Sequence, residues 1–152
     1  MLSVEVRGTD KLTKIAAALR ATPNKELRKE LGTGLRRAAR PMRAAFKHGA
    51  LGILPYRGGL AEQVASDVRY TTKVNLGTTP SLRIVASLPG HDLAAMEKGR
   101  LRHPVYGHRR VWVTQNIRPG WFSDSGALAV TDVRRELLKA IDDVAKKLED
   151  RL

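Results

Sequence analysis

Cysteine is absent from the 152 residues. That excludes disulfide scaffolds, thiolate nucleophiles and Cys-based zinc sites, and it fits synthesis in a reducing compartment. Long apolar runs are also missing. No stretch approaches the roughly 18 apolar residues of a membrane span, and the opening "MLSVEVRGTD" alternates apolar and polar residues with a charge by position 5, unlike a signal peptide. A soluble chain with no membrane partner and no cleaved leader is expected. Acids are scarce beside bases: 15 Asp plus Glu against 28 Lys plus Arg leave a net charge of +13. An excess of that size attracts polyanions. It is concentrated in the first fifty residues, which hold 12 bases and 4 acids. Aromatics are few, and four of the seven, Tyr106, Trp112, Trp121 and Phe122, fall within "HPVYGHRRVWVTQNIRPGWF" at 103–122.

The length suits a single domain over 1–152 that can bury a core without metal or disulfides. "LSVEVRG" places Leu2, Val4 and Val6 on one face of a strand closed by Gly8. In "TDKLTKIAAALRA", Thr9 or Asp10 is the N-cap, and Leu12, Ile15, Ala16 and Leu19 recur at helical spacing. The next helix takes Thr22 as cap and Pro23 as first residue. Leu27, Leu31, Leu35, Ala38, Met42 and Ala45 or Phe46 form its apolar face, and Lys25, Arg28, Lys29, Arg36, Arg37, Arg40, Arg43 and Lys47 mostly its other face. Gly32, Gly34 and Pro41 weaken it, and a bend or break is predicted near Arg40 and Pro41.

Residues 48–60, "HGALGILPYRGGL", carry four glycines and a proline without periodicity, which predicts a flexible loop. "AEQVASDV" suits a helical turn. "VRYTTKVNLG" and "PSLRIVASLPG" predict a hairpin, and "HDLAAMEKG" a short helix from Asp92 to Gly99. "RRVWVTQNI" alternates as a strand. From about Trp121 to Leu148, the spacing of Val130, Val133, Leu137, Ile141, Val144 and Leu148 predicts the longest helix, with acid-first pairs Asp142–Lys146 and Asp143–Lys147. The fold class expected is α+β, a small mostly antiparallel sheet packed against long amphipathic helices.

Catalytic chemistry finds little support. His103 and His108 stand five apart with Pro104 and Gly107 between them, which forbids the helical spacing that aims two imidazoles at one metal, and no carboxylate pair completes a set with His91. No metal and no cofactor is expected. Ser123, Asp124, Ser125 and His108 are the nearest approach to a nucleophile and base, but "FSDSG" at a helix start reads as capping. Glu97, Asp92, Asp124 and Asp132 are too scattered for a two-metal nuclease, and "GTG" at 32–34 lacks the lysine and spacing of a P-loop. An enzyme is not expected. Aromatics interleaved with Arg102, Arg109, Arg110 and Arg118 suit backbone contact with nucleic acid, without any base-reading motif. They equally suit a docking surface, since Trp, Tyr and Arg dominate protein interfaces.

The order of elements and the segments "ARPMRAAF" (39–46), "MEKGRLRHPVYGHRR" (96–110), Trp112 with Gln115, "PGWF" (119–122) and "VRRELLKAIDDVAKKL" resemble the neck and tail-completion proteins of long-tailed, non-contractile phages. The resemblance is to the tail-component family related to the lambda-type minor tail protein Z, and it spans most of the chain. It implies a non-catalytic virion protein, assembled in the host cytoplasm, that forms a homo-oligomeric ring, a hexamer by family analogy, at the head–tail junction or the head-proximal end of the tail. The ring would adjoin head-completion and tail-tube or tail-terminator proteins, with genomic DNA passing without sequence readout. On this reading Arg28, Arg36, Arg37, Arg40, Arg43 and Lys47 contact DNA or an acidic partner, and Tyr106, Arg109, Arg110, Trp112, Trp121 and Phe122 form subunit interface or core. The alternative from another class is a free, sequence-nonspecific nucleic-acid-binding protein.

Overall fold

The computed structural model describes residues 1–21 and 24–151. Its elements run β1 (Leu2–Arg7), α1 (Asp10–Ala21), α2 (Lys25–Ala38), α3 (Arg40–Ile53), a 3-10 turn (Arg57–Gly59), α4 (Leu60–Asp67), β2 (Arg69–Asn75), β3 (Ser81–Ser87), α5 (Leu93–Glu97), β4 (Arg100–Val105), β5 (His108–Asn116) and α6 (Ser123–Glu149). One sheet has the order β1-β3-β2 and a second pairs β4 with β5. Small antiparallel sheets packed against helices make this the expected α+β fold. Within the span expected as one domain, the chain gathers into two compact units, residues 1–2, 43–70 and 86–128, and residues 3–42, 71–85 and 129–152.

The second of these is built on α1, α2 and most of α6. Thr9 is the cap of α1, its Oγ1 accepting from the Leu12 N–H at 3.3 Å. Leu12, Ile15, Ala16 and Leu19 are buried, as their spacing predicts. The cap proposed at Thr22, with Pro23 following, lies outside the described residues. The helix starts instead at Lys25, where Asn24, an equally good cap, accepts from the Leu27 N–H at 3.1 Å. α2 continues unbroken through Gly32 and Gly34, and the predicted break falls at Ala39, leaving Pro41 in the first turn of α3 where its missing N–H costs no helical bond. Gly34 is a packing glycine: a Cβ there would stand 2.9 Å from the Ala140 Cβ, so its absence lets α2 approach α6 closely. Lys11 pairs with Asp142, Lys147 with Glu30, and Arg151 with Glu26 at 3.9 Å. The acid-first pairs expected along α6 give way to these, because helices alongside offer partners that a lone helix lacks. In the same unit Gly8 donates to the Pro80 carbonyl at 2.8 Å, setting the end of β1 beside the start of β3.

The other unit centres on aromatic rings. Phe46, fully buried on α3, stacks on Phe122 with centroids 3.9 Å apart and on Tyr70 at 5.7 Å, while Trp121 meets Phe122 edge-on at 5.5 Å. The loop expected over 48–60 is corrected here. Residues 48–53 continue α3, and the 3-10 turn and the start of α4 take up 57–60. Glycine read as a helix breaker is instead a helix-crossing residue: a Cβ on Gly49 would fall 1.7 Å from Ser125 Oγ and 2.4 Å from the Trp121 carbonyl oxygen, and one on Gly126 would meet Phe46 at 2.9 Å. The two glycines admit a close approach of α3 to the first turn of α6. That packing outweighs the helix-propensity cost of about 1 kcal/mol per glycine.

Candidate functional site

The run at 103–122 divides into an exposed hairpin and a buried corner. β4 and β5 pair antiparallel with Arg100 opposite Asn116, Arg102 opposite Thr114 and Pro104 opposite Trp112. The ladder is then interrupted: Val105 pairs with His108, so β4 advances one residue where β5 advances four. Such a bulge bends the strand and re-aims its side chains, and Arg109, Arg110 and Val111 lie in it, all exposed. Gly107, at φ +78, supplies the left-handed turn at the tip beside a fully exposed Tyr106.

Every residue of β5 is exposed. Trp112 keeps 52% of its surface accessible, Val111 53% and Val113 40%. Trp112, expected as subunit interface or core, is therefore outside the core of this chain. Alternation implies one covered face, and on this hairpin no layer covers either face of β5 within its own unit. The Arg102 guanidinium lies 5.6 Å from the centre of the Trp112 ring, a cation–π contact that holds the indole on the surface. Beside it a hollow of about 490 Å³ is lined by His91, Asp92, Met96, Arg100, Arg102 and Trp112 among others.

At the base of the hairpin the chain is clamped. Ile117 N–H donates to the Gly99 carbonyl at 2.8 Å, and Gly99 has φ +85. Gly120 N–H donates to the Glu97 carbonyl at 2.9 Å, and the Glu97 carboxylate accepts from Phe122 N–H at 2.9 Å and Ser123 N–H at 3.1 Å. Glu97 thus caps α6, a role expected of the "FSDSG" side chains. Ser125 turns inward and donates to the Trp121 carbonyl at 2.6 Å. A carboxylate 25 residues upstream gives no sequence signal for this role. Trp121 and Phe122 are buried, at 0% and 4% exposure, which places them in core.

The basic residues do not form one patch. On α2, Arg28 and Arg36 share a trough with Lys25, Lys29, Val74 and Leu76. Arg37 belongs to a different cleft between α2 and α6, where Glu26, Glu30, Glu136 and Asp143 also lie. Arg40 is exposed at the helix break, Lys47 is exposed on α3, and Arg43 is half-buried. Lys25 and Lys29 are the contributors missing from the sequence-based contact set, although their helical spacing with Arg28 and Arg36 was the signal that could have found them.

Among titrating groups Tyr70 stands out: burial pushes its phenol up from 10 to about 12. Among the described residues no group of three or more His, Asp or Glu is placed to hold a metal ion, and no helix is long and apolar enough to cross a membrane. No protein-family model, curated protein or solved structure matches this chain.

Proposed function

We propose that this chain is a non-enzymatic virion assembly subunit that closes into a homo-oligomeric ring at the head–tail junction or head-proximal tail end of a long-tailed phage, around a DNA path. The observation that carries the reading is the β4–β5 hairpin. An isolated two-stranded ribbon is marginal in water, and its strand edges invite pairing with another chain. This one also displays Trp112, Val111, Val113 and Tyr106 with Arg109 and Arg110, the residue types that anchor protein interfaces. A second copy of the chain is its proposed occupant. In a ring the contact is heterologous, so the hairpin docks on a different surface of the next subunit. The cationic face of α2 and the resemblance carried by the segments around Tyr106, Trp112 and Phe122 support the virion setting.

The test is the mass of the purified chain as a function of concentration, with negative-stain images of the largest species. Closed rings that dissociate on Trp112→Asp, with the variant still folded, are expected. A single-subunit mass at every concentration overturns the ring. A free nucleic-acid-binding protein is the second reading, favoured by the trough on α2; a monomer with tight, salt-sensitive duplex binding would support it instead.

A further inference from the structure

We propose that the trough between α2 and β2 is a phosphodiester-backbone site, in which Lys25, Arg28, Lys29 and Arg36 grip phosphates of one duplex over a floor of Gly32, Val74 and Leu76. It deepens the assembly reading and rests on that reading for its biological meaning, but the site is complete within one unit of one chain.

Helix geometry assembles the charges. At 3.6 residues per turn, positions 25, 28, 29, 32 and 36 fall within an arc of about 100°. Four of the five are cations, and the fifth, between Lys29 and Arg36, is glycine. Because Gly32 has no side chain, the stripe is concave, with the charged side chains as walls and about 370 Å³ between them. From Lys25 to Arg36 the track is about 16 Å long at 1.5 Å per residue.

The acids of α2 are directed elsewhere. Glu30 pairs with Lys147 and Glu26 with Arg151, both on the side of α6. No carboxylate lines the trough. Among the described residues, none pairs with Lys25, Arg28 or Arg36 either, and only Lys29 also borders the mixed-charge cleft. Four cations that repel one another along one line are complementary to a repeating polyanion, and each phosphate they neutralise releases a counterion. Two of them are arginines, whose planar fork matches phosphate oxygens in pairs. No aromatic ring lines the trough, so there is no platform on which unpaired bases could stack. That favours duplex over single strand.

The experiment uses the full chain and a fluorescent duplex of arbitrary sequence, with anisotropy read over a salt series. Two variants of equal charge change are compared: Lys25, Arg28, Lys29 and Arg36 all to Gln, and a control on α6 with Arg134, Arg135, Lys139 and Lys146, all exposed, changed to Gln. The trough variant is expected to bind at least about tenfold more weakly at low salt and to lose about 3.6 from the slope of log K against log salt, at about 0.9 per phosphate. The control is expected to keep most of its affinity. Gly32→Glu, whose Cβ would meet only Arg36 Nη1 at 3.3 Å, should reproduce the loss by setting a carboxylate in the floor. Equal weakening of both quadruple variants would mean that binding follows net charge, and would overturn the site. So would a poly-glutamate peptide that competes as well as unlabelled duplex, which marks an acidic protein partner, or single strands that bind more tightly than duplex. Mass measured in parallel separates the two proposals: a monomer with trough-dependent binding keeps the site and removes the ring, and a ring indifferent to duplex does the reverse.

Discussion

Trp112 and Trp121 belong to one aromatic run, yet one keeps half its surface accessible and the other none. Their neighbours account for the difference. Trp121 follows Gly120, at φ +90, which turns the chain into the start of α6, and it meets Phe122, which stacks on Phe46 where Gly49 and Gly126 have removed the side chains that would hold the helices apart. Trp112 lies on a hairpin of which only β4 has any half-buried positions. Residue type alone does not decide between core and interface; what decides is whether the backbone around the ring leaves room for a second layer.

The contrast can be broken most severely at the buried corner. Trp121→Ala should cost about 3–5 kcal/mol, read as a lowered denaturant midpoint. Gly49→Ala comes next. Its methyl has no room against Ser125 Oγ and the Trp121 carbonyl, so overpacking should cost about 1–3 kcal/mol in the same assay despite alanine's better helix propensity. Glu97→Ala uncaps α6 and should cost about 1 kcal/mol, with Glu97→Gln recovering part of it.

A pH test sharpens the same contrast. The Tyr70 phenol is held neutral to about pH 12 in the fold and ionises near 10 when unfolded. Between those values the unfolded chain holds fewer protons, so stability falls as pH rises through the window. Denaturation midpoints should therefore drop from pH 10 towards 12, and Tyr70→Phe should remove that part of the slope. The smallest effect is expected on the hairpin, where Trp112→Ala should move the folding stability of the single subunit, measured at concentrations too low for assembly, by no more than about 0.5 kcal/mol, because the ring is half in water already.

Periodicity made most of the fold legible. The apolar spacing of Leu12 to Leu19 and of Val133 to Val144 located α1 and α6, Pro41 located the break before α3, and Asp92 and Gly99 bounded α5. What it missed depends on residues distant in sequence. Gly49 looks like a helix breaker until Trp121 and Ser125 are seen to need its space, and Glu97 looks idle until the amides of Phe122 and Ser123 arrive at it. The exposure of Trp112 was not legible either, since strand alternation predicts two faces but not whether anything covers them. For the basic residues the helical arc was readable, whereas the division of Lys25, Arg28 and Arg36 from Arg37, with Lys29 bordering both hollows, requires knowing that β2 borders one flank of α2 and α6 the other.

The most direct measurement is sedimentation of the wild-type chain beside Trp112→Asp over a wide concentration range. The wild type is predicted to form a discrete closed oligomer, and the variant to remain a folded single subunit with the denaturation midpoint that the wild type shows when dilute enough to be single. A wild type that stays single throughout, or a variant that assembles as well as the wild type, contradicts the hairpin as the surface that joins subunits.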